Sequence, residues 1–374
     1  MKKQRNWVSL FGTFLASVFL AAALLLGACA GCVVSGDEGA DSESLVLMTW
    51  NVHNLFDGED NGYEYDEFLQ SSGWSREKYL GRINTISDAI GRVEPKPDII
   101  LFQEIESLGI LEDLAQLLNG EYSWSHFAGN PGSAIGVGII SRYPLLDVKA
   151  HSITIDDDSS PRPVLEKRIQ AQTEFIIFTC HWKSKIGGDE ATEKTRRASA
   201  RVILRRAGEI WEAEPELGII IAGDLNLNHD EFYRQNASRI CALMPDDPYC
   251  AQITGGIQKD YIVINRNKPP VPVHFPEDTI IFFSPWLREL ENGTYYFRNN
   301  WETIDHFLLS TQFFTDSNLV YNKTTIINFP PFANSNGIPV PYNTRTGLGI
   351  SDHLPLLLEL KTVNKNLQTA GSSL

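Results

Sequence analysis

Five cysteines in 374 residues are too few for a small disulfide scaffold, and apart from Cys29 and Cys32 no Cys-x-x-Cys pair exists that could hold a structural zinc. Positive charge is also scarce: 32 Lys and Arg face 47 Asp and Glu, for a net charge of −15. That balance excludes the broad basic footprint of a protein that coats DNA, so a polyanionic substrate must be met by a few local cations or a metal. No internal repeat, collagen-like period or disordered composition is present. What the chain does have is 43% hydrophobic residues, enough to bury a sizeable core, and one long apolar run near its start.

Lys2, Lys3 and Arg5 precede an uncharged stretch over 6–36 that contains the apolar run 10–26. This is the order of an export signal, and the run is long enough to span a bilayer as well. Leu26-Gly27-Ala28-Cys29 resembles the lipobox of bacterial lipoproteins, which implies cleavage after residue 28, a lipid on Cys29 and a membrane-anchored place in the bacterial cell envelope. Loss of 1–28 removes three cations and no acid, taking the net charge from −15 to −18. Small, polar and acidic residues make 29–44 a tether. In an oxidising setting Cys241 and Cys250, which close a short loop, are the expected pair, while Cys180 lies in an apolar run and reads as a buried thiol.

From residue 45 onward, short apolar runs alternate with amphipathic segments. The runs predict strands over 45–50, 99–102, 135–140, 175–180, 218–222, 304–309 and 356–360. Helices are expected over 76–93, capped by Ser75 and presenting Leu80, Ile83, Ile86 and Ile90 on one face, over 108–118 behind Ser107, and over 191–211. Pro-rich stretches at 245–285 and 329–349 read as irregular surface loops. The body is one domain, 45–362, with a short tail over 363–374.

Chemistry gathers where the predicted strands stop. The first runs into Asn51 and His53, the second into Gln103-Glu104, the fourth into His181-Trp182-Lys183-Ser184-Lys185 and the fifth into Asp224-Leu225-Asn226. The sixth holds Asp305-His306, and Ser351-Asp352-His353 opens the last. Each alone is an ordinary turn residue or edge acid. Together, if the strands share a sheet, they form one rim of carboxylates, amides and imidazoles. Such oxygen-rich donors favour Mg²⁺ or Mn²⁺ over zinc, and the ion's chemistry is Lewis-acid activation of a phosphate.

The segments WNVHNLF, QE, SRYP, CHWKSK, GDLN, ETIDHFLLS and SDHLPL, in that order, resemble the endonuclease/exonuclease/phosphatase (DNase I-like) superfamily over 45–362. The resemblance implies an α/β fold, a four-layer αββα sandwich of two packed, mostly antiparallel sheets flanked by helices. It implies Asn51, Glu104 and Asp352 as metal-site residues, with Asp224 and Asn226 holding the nucleophilic water and a phosphoryl oxygen. His353 becomes the general base or phosphate-side imidazole, held in its tautomer by Asp305, and His181 the second imidazole. Glu166 is either the carboxylate that orients His181 or an ordinary strand residue. Arg142 reads as structural, His306 as an unusual residue in the site floor, and His53, His126, His151, His229 and His274 carry no implied role.

The implied activity is metal-dependent phosphoester hydrolysis. The HWKSK segment is similar to that of exported bacterial nuclease-like members, which points to nucleic-acid phosphodiesters, with Arg196, Arg197 and Arg201 as a helical basic face of lesser weight. A sphingomyelinase-like phosphodiesterase or a phosphomonoesterase is the alternative, the former favoured by lipid anchoring and the aromatics Tyr295, Tyr296, Phe297 and Trp301. A lipid-anchored binding protein without activity is the third reading. Nothing points to a protein partner.

Overall fold

Alternate residues of the first long strand face two different cores, and that alternation organises the molecule. A computed structural model describes residues 44–155, 161–315 and 317–363. The expected signal, Cys29, nearly all of the tether and the tail lie outside them; Ser44, assigned to the tether, already opens a strand. In chain order the strands are β1 (Ser44–Leu55), β2 (Ile99–Ile105), β3 (Trp124–Ala128), β4 (Gly136–Ser141), β5 (Leu145–His151), β6 (Val164–Gln170), β7 (Glu174–His181) and β8 (Gly218–Asp224). There follow β9 (Leu243–Pro245), β10 (Ile262–Asn265), β11 (Ile281–Phe283), β12 (Tyr295–Phe297), β13 (Asn300–Glu302), β14 (Asp305–Leu309), β15 (Leu319–Ile326) and β16 (Leu356–Thr362).

Two mixed sheets result, of order β15-β16-β1-β2-β4-β3 and β5-β6-β7-β8-β14-β11-β10-β9, with β12 and β13 as a separate hairpin. Leu45 and Leu47 of β1, Ile99 and Leu101 of β2, Phe175 and Ile177 of β7, and Ile220 of β8 pack between the sheets. Their neighbours face outward: Val46, Met48 and Trp50 pack with Ile83 and Ile86 of α1 (Arg76–Ile90) and Leu111 and Leu114 of α2 (Leu108–Leu117). Ile176, Phe178, Ile219 and Ile221 pack under Ile203 and Ala207 of α3 (Asp189–Ala213). Strands covered on both faces need continuous apolar runs, the signal seen in the sequence. The expected αββα layering is present, and antiparallel pairings outnumber the parallel ones.

Ser75 caps α1 through its hydroxyl, which accepts from the Lys78 N–H at 3.3 Å. Leu80 is 44% exposed, so the buried face of α1 is carried by Tyr79, Ile83, Ile86 and Ile90 instead. The 245–285 stretch corrects the expectation of an irregular loop, since it contains a helix at Pro248–Thr254 and the strands β10 and β11 that extend the second sheet. Strands of three or four residues leave too short a pattern to read. Cys241 and Cys250 are free, buried thiols, contrary to the expected disulfide, and the Cys250 thiol donates to Asp247. Cys180 is buried, as expected.

Parallel neighbours end together. β1 and β2 are parallel with Asn51 opposite Gln103, and β7 and β8 are parallel with His181 opposite Asp224. β14 runs antiparallel to β8 and starts where β8 stops, so Asp305 faces Asp224. The strand ends singled out by their chemistry therefore share one rim.

Candidate active site

β1 does not stop cleanly at Asn51. His53 and Asn54 both take left-handed backbone conformations, with φ of 57° and 58°. Such conformations are costly for residues with a Cβ and persist only where the surroundings hold them. Arg82 of α1 does so: its guanidinium donates to the carbonyls of Val52 at 2.7 Å, His53 at 2.5 Å and Asn54 at 2.7 Å. The side chain is buried, Tyr342 lies over it at 4.0 Å, and burial lowers its pKa to about 10. Glu104 and Asn226 are likewise left-handed. At Gly223 only glycine fits, because an added Cβ would lie 2.1 Å from the Cys180 carbonyl oxygen of the neighbouring strand.

With the bulge fixed, the Asn51 amide donates to Glu104 Oε1 at 3.0 Å and to Asp224 Oδ2 at 3.1 Å, while its oxygen accepts from the His53 N–H. Two imidazoles approach the same carboxylate. His181 Nε2 is 3.6 Å from Asp224 Oδ2 and 3.7 Å from Glu104 Oε1, and His353 Nε2 is 4.0 Å from Asp224 Oδ2. His353 Nδ1 meets Asp305 Oδ2 at 2.8 Å, and Thr294 donates to that same oxygen at 2.6 Å. The segment bearing His353 is tied to β1 twice, through Ser351 Oγ to the Asn51 carbonyl and through Trp50 Nε1 to the His353 carbonyl.

Electrostatics separates the two rings. Burial, then the cations Arg162, His353 and Lys183, keeps His181 well below the ordinary histidine range, so it is neutral. Burial also opposes charge on His353, but Asp305, Asp352 and Asp224 together hold it well above that range. Asp224 is pushed up to about 7, by burial first and then by Asp305.

The structure therefore brings Asn51, Glu104, His181, Asp224, Asp305 and His353 together. Asp352 sits at the rim, its carboxylate 4.0 Å from His353 Nε2 and from His53 Nε2. Asn226 is adjacent, with its side-chain amide donating to the Trp182 carbonyl and its N–H to Asp224. Glu166 is a correction: it turns to the outer face of the second sheet, where it accepts from His151 at 2.6 Å and Arg206 at 2.7 Å, and His181 Nδ1 has no hydrogen-bond partner among the described residues. Burial would raise the Glu166 pKa, yet His151 and Arg206 hold it down to about 2.

The helical basic face is a second correction. Arg196 is fully buried and paired with Asp189 and Glu193, while Arg197 and Arg201 share Asp260. Arg142 is structural as expected, bound to Asp98 and Glu121. His306 is buried and bonded to the Leu227 carbonyl, and burial drives its pKa down to about 4. Sequence reading missed Arg82 and Thr294, and took Tyr295 for one of the aromatics that favour a phospholipid substrate. The Tyr295 ring lies 4.7 Å from that of His353, and Tyr296 packs on Trp301, so among these aromatics only Phe297 is a widely exposed surface group.

The residues present fit a hard divalent cation. Four carboxylates converge on two imidazoles, Asp305 Oδ1 is buried with no hydrogen-bond partner among the described residues, and burial first and then Asp305 push the Asp224 pKa up to about 7. Asp224, Asp305 and His353 offer donor atoms within 4.8 Å of one another. An ion among those three would compete with the 2.8 Å bond that orients His353, whereas Glu104 is held only through Oε1 by the Asn51 amide and Asp352 meets His353 and His53 no closer than 4.0 Å.

A family model described as "Endonuclease/Exonuclease/phosphatase family" matches residues 46–241. No curated protein matches the chain significantly. Among solved structures, truncated Caenorhabditis elegans TDP2 is similar with a TM-score of 0.51 and 12% identity, over 85% of this chain and 98% of that one. A Bacteroides thetaiotaomicron endonuclease/exonuclease/phosphatase family protein gives 0.50 and 16%, over 87% and 100%. D. rerio TDP2 complexed with single strand DNA product gives 0.50 and 14%, over 85% and 99%. These likenesses show the shared DNase I-like fold.

Proposed function

The chain belongs to the endonuclease/exonuclease/phosphatase family of phosphoester hydrolases, and from that premise we propose that it is a divalent-metal-dependent phosphodiesterase acting on nucleic-acid linkages. The observation that carries the reading is the pair of imidazoles, one neutral and one cationic, set 3.6 Å and 4.0 Å from a single buried carboxylate oxygen of Asp224.

Asp305 accepts from Nδ1 of His353 and so leaves Nε2 as its reactive atom, which must first give up the proton of the cationic ring before it can take one from an attacking water. Asp224 and Asn226 border the space for that water. His181, kept neutral by its surroundings, offers a ring N–H to a phosphoryl oxygen as charge develops there. A Mg²⁺ or Mn²⁺ held by Glu104 and Asp352 beside Asn51 would supply Lewis-acid polarisation of that oxygen and countercharge for the acids. Support for a nucleic-acid substrate is the HWKSK segment and the existence of this fold, in D. rerio TDP2, with a single-strand DNA product.

The test is a panel of plasmid DNA, RNA, sphingomyelin vesicles, bis(4-nitrophenyl) phosphate and 4-nitrophenyl phosphate, each with Mg²⁺. Nucleic acid and the diester are expected to be cleaved at least about tenfold faster than the monoester. Preference for the monoester contradicts a diesterase, and preference for sphingomyelin contradicts a nuclease.

We further propose that the mature protein is a lipoprotein of the bacterial envelope anchored at Cys29. Cys29→Ser is expected to shift the chain from the membrane pellet to the soluble fraction; retention in the pellet would argue for an uncleaved apolar anchor.

A further inference from the structure

Most basic side chains near the site are spoken for. Lys185 is bound to Glu231, Arg196 to Asp189 and Glu193, and Arg197 and Arg201 to Asp260. Arg162 and Lys183 differ. Among the described residues neither has an acid within ion-pair distance; Arg162 reaches only the Trp182 carbonyl, at 3.4 Å, and the Tyr65 phenol beside it. Both line an open cleft of about 250 Å³, together with His181, Trp182, Ser133 and Ser199. One further polar atom of that lining, His181 Nδ1, is buried and has no hydrogen-bond partner among the described residues.

Uncompensated positive charge beside a buried imidazole is unfavourable in the free protein. Lys183 shows this directly, since burial first, and then Arg162 and Arg196, lower its pKa, and both Arg162 and Lys183 lower that of His181. In a chain of net charge −15, two cations that have no acid within ion-pair distance among the described residues, at a cleft that adjoins the proposed catalytic centre, imply an anion as their partner. A guanidinium fork and an ammonium point charge together suit the several oxygens of a phosphate better than a single carbonyl or hydroxyl.

We propose that this cleft is a second phosphate subsite, filled by a phosphate one linkage away from the scissile one, and that Arg162 and Lys183 select substrates carrying it. The proposal rests on the phosphodiesterase reading above and narrows it: the preferred substrate has at least two phosphates in sequence, as a nucleotide chain does. Arg162 and Lys183 are specificity residues in this account, and the bond-breaking groups remain those around Asp224.

The test uses the whole chain and the 4-nitrophenyl esters of thymidine 5′-phosphate and of thymidine 3′-phosphate, each with and without a second phosphate at the other position. In at least one polarity the second phosphate is expected to raise kcat/KM about tenfold, mostly through KM, as one charge-assisted contact allows. That ratio should fall toward one in Arg162→Ala and in Lys183→Ala, and recover in part in Arg162→Lys. Truncating Lys183 leaves its carbonyl free to accept from Arg196 as before, so the fold is retained and thermal melts can verify it. Absence of a preference in the natural chain, or its survival in both alanine variants, overturns the subsite. If none of the esters is turned over, the phosphodiesterase reading fails by itself and the subsite is judged by binding. Calorimetry in chelator should then give thymidine 3′,5′-bisphosphate a lower Kd than thymidine 5′-phosphate, with the difference lost in Arg162→Ala. Equal affinities, or a difference unaffected by the substitution, overturn it.

Discussion

Replacing His353 with alanine is expected to lower kcat/KM for a phosphodiester by at least about 10²-fold, the usual contribution of a positioned acid or base. The ring is the most constrained polar group of the site: Asp305 holds Nδ1 at 2.8 Å, Thr294 fixes Asp305, and Tyr295 covers one face. That constraint leaves Nε2 as its reactive atom. The main chain of residue 353 is held independently, its N–H by Ser351 Oγ and its carbonyl by Trp50 Nε1, so truncation removes the imidazole without releasing the segment. His181→Ala should cost a similar factor, through loss of a donor to the phosphoryl oxygen in place of a proton carrier. Steady-state kinetics alongside a thermal melt check both, and near-normal turnover in a folded His353→Ala would remove His353 from the chemistry.

The strands that carry the site were legible because each is buried on both faces, which leaves a continuous apolar run, and because each ends in a group with no reason to be apolar. Asn51, Glu104, His181, Asp224, Asp305 and His353 were found in that way, and the parallel pairings of β1 with β2 and β7 with β8 supply the convergence that the sequence could only imply. Groups that act across the fold left no local mark. Arg82 sits on an amphipathic helix like any surface arginine, and only the three carbonyls it meets distinguish it. Arg196 looked like part of a solvated face, yet it is fully buried among acids 3 and 7 residues before it, a pairing that helical spacing permits but does not require. Glu166 lies one residue off the strand face that would look toward the site, and in a strand a single step reverses the direction of the side chain. Its partners, His151 and Arg206, are 15 and 40 residues away.

Chelation is expected to abolish turnover, and Mg²⁺ or Mn²⁺ to restore it. Glu104, Asp224, Asp305 and Asp352 gather where the protein supplies one cationic ring, and burial first and then the Asp305 charge raise the Asp224 pKa to about 7. The sign of the stability effect follows. Asp224 binds its proton more tightly in the folded chain than in the unfolded one, so the stability it contributes is present at low pH and is lost as pH rises from near 4 through about 7. His353, also raised, contributes stability below the ordinary histidine pKa that is lost at higher pH. A bound divalent ion takes the place of those protons, so its binding releases them and strengthens with pH. At a hundredfold excess over Kd the ion adds about 2.7 kcal/mol to the folded state, a rise of several degrees in Tm for a domain of this size. The rise should therefore be larger at pH 8 than at pH 5. Scanning calorimetry with and without Mg²⁺ at the two pH values measures it apart from catalysis. Chelator-insensitive turnover contradicts the metal requirement, and an equal Tm shift at both pH values contradicts the assignment of the ion to these carboxylates.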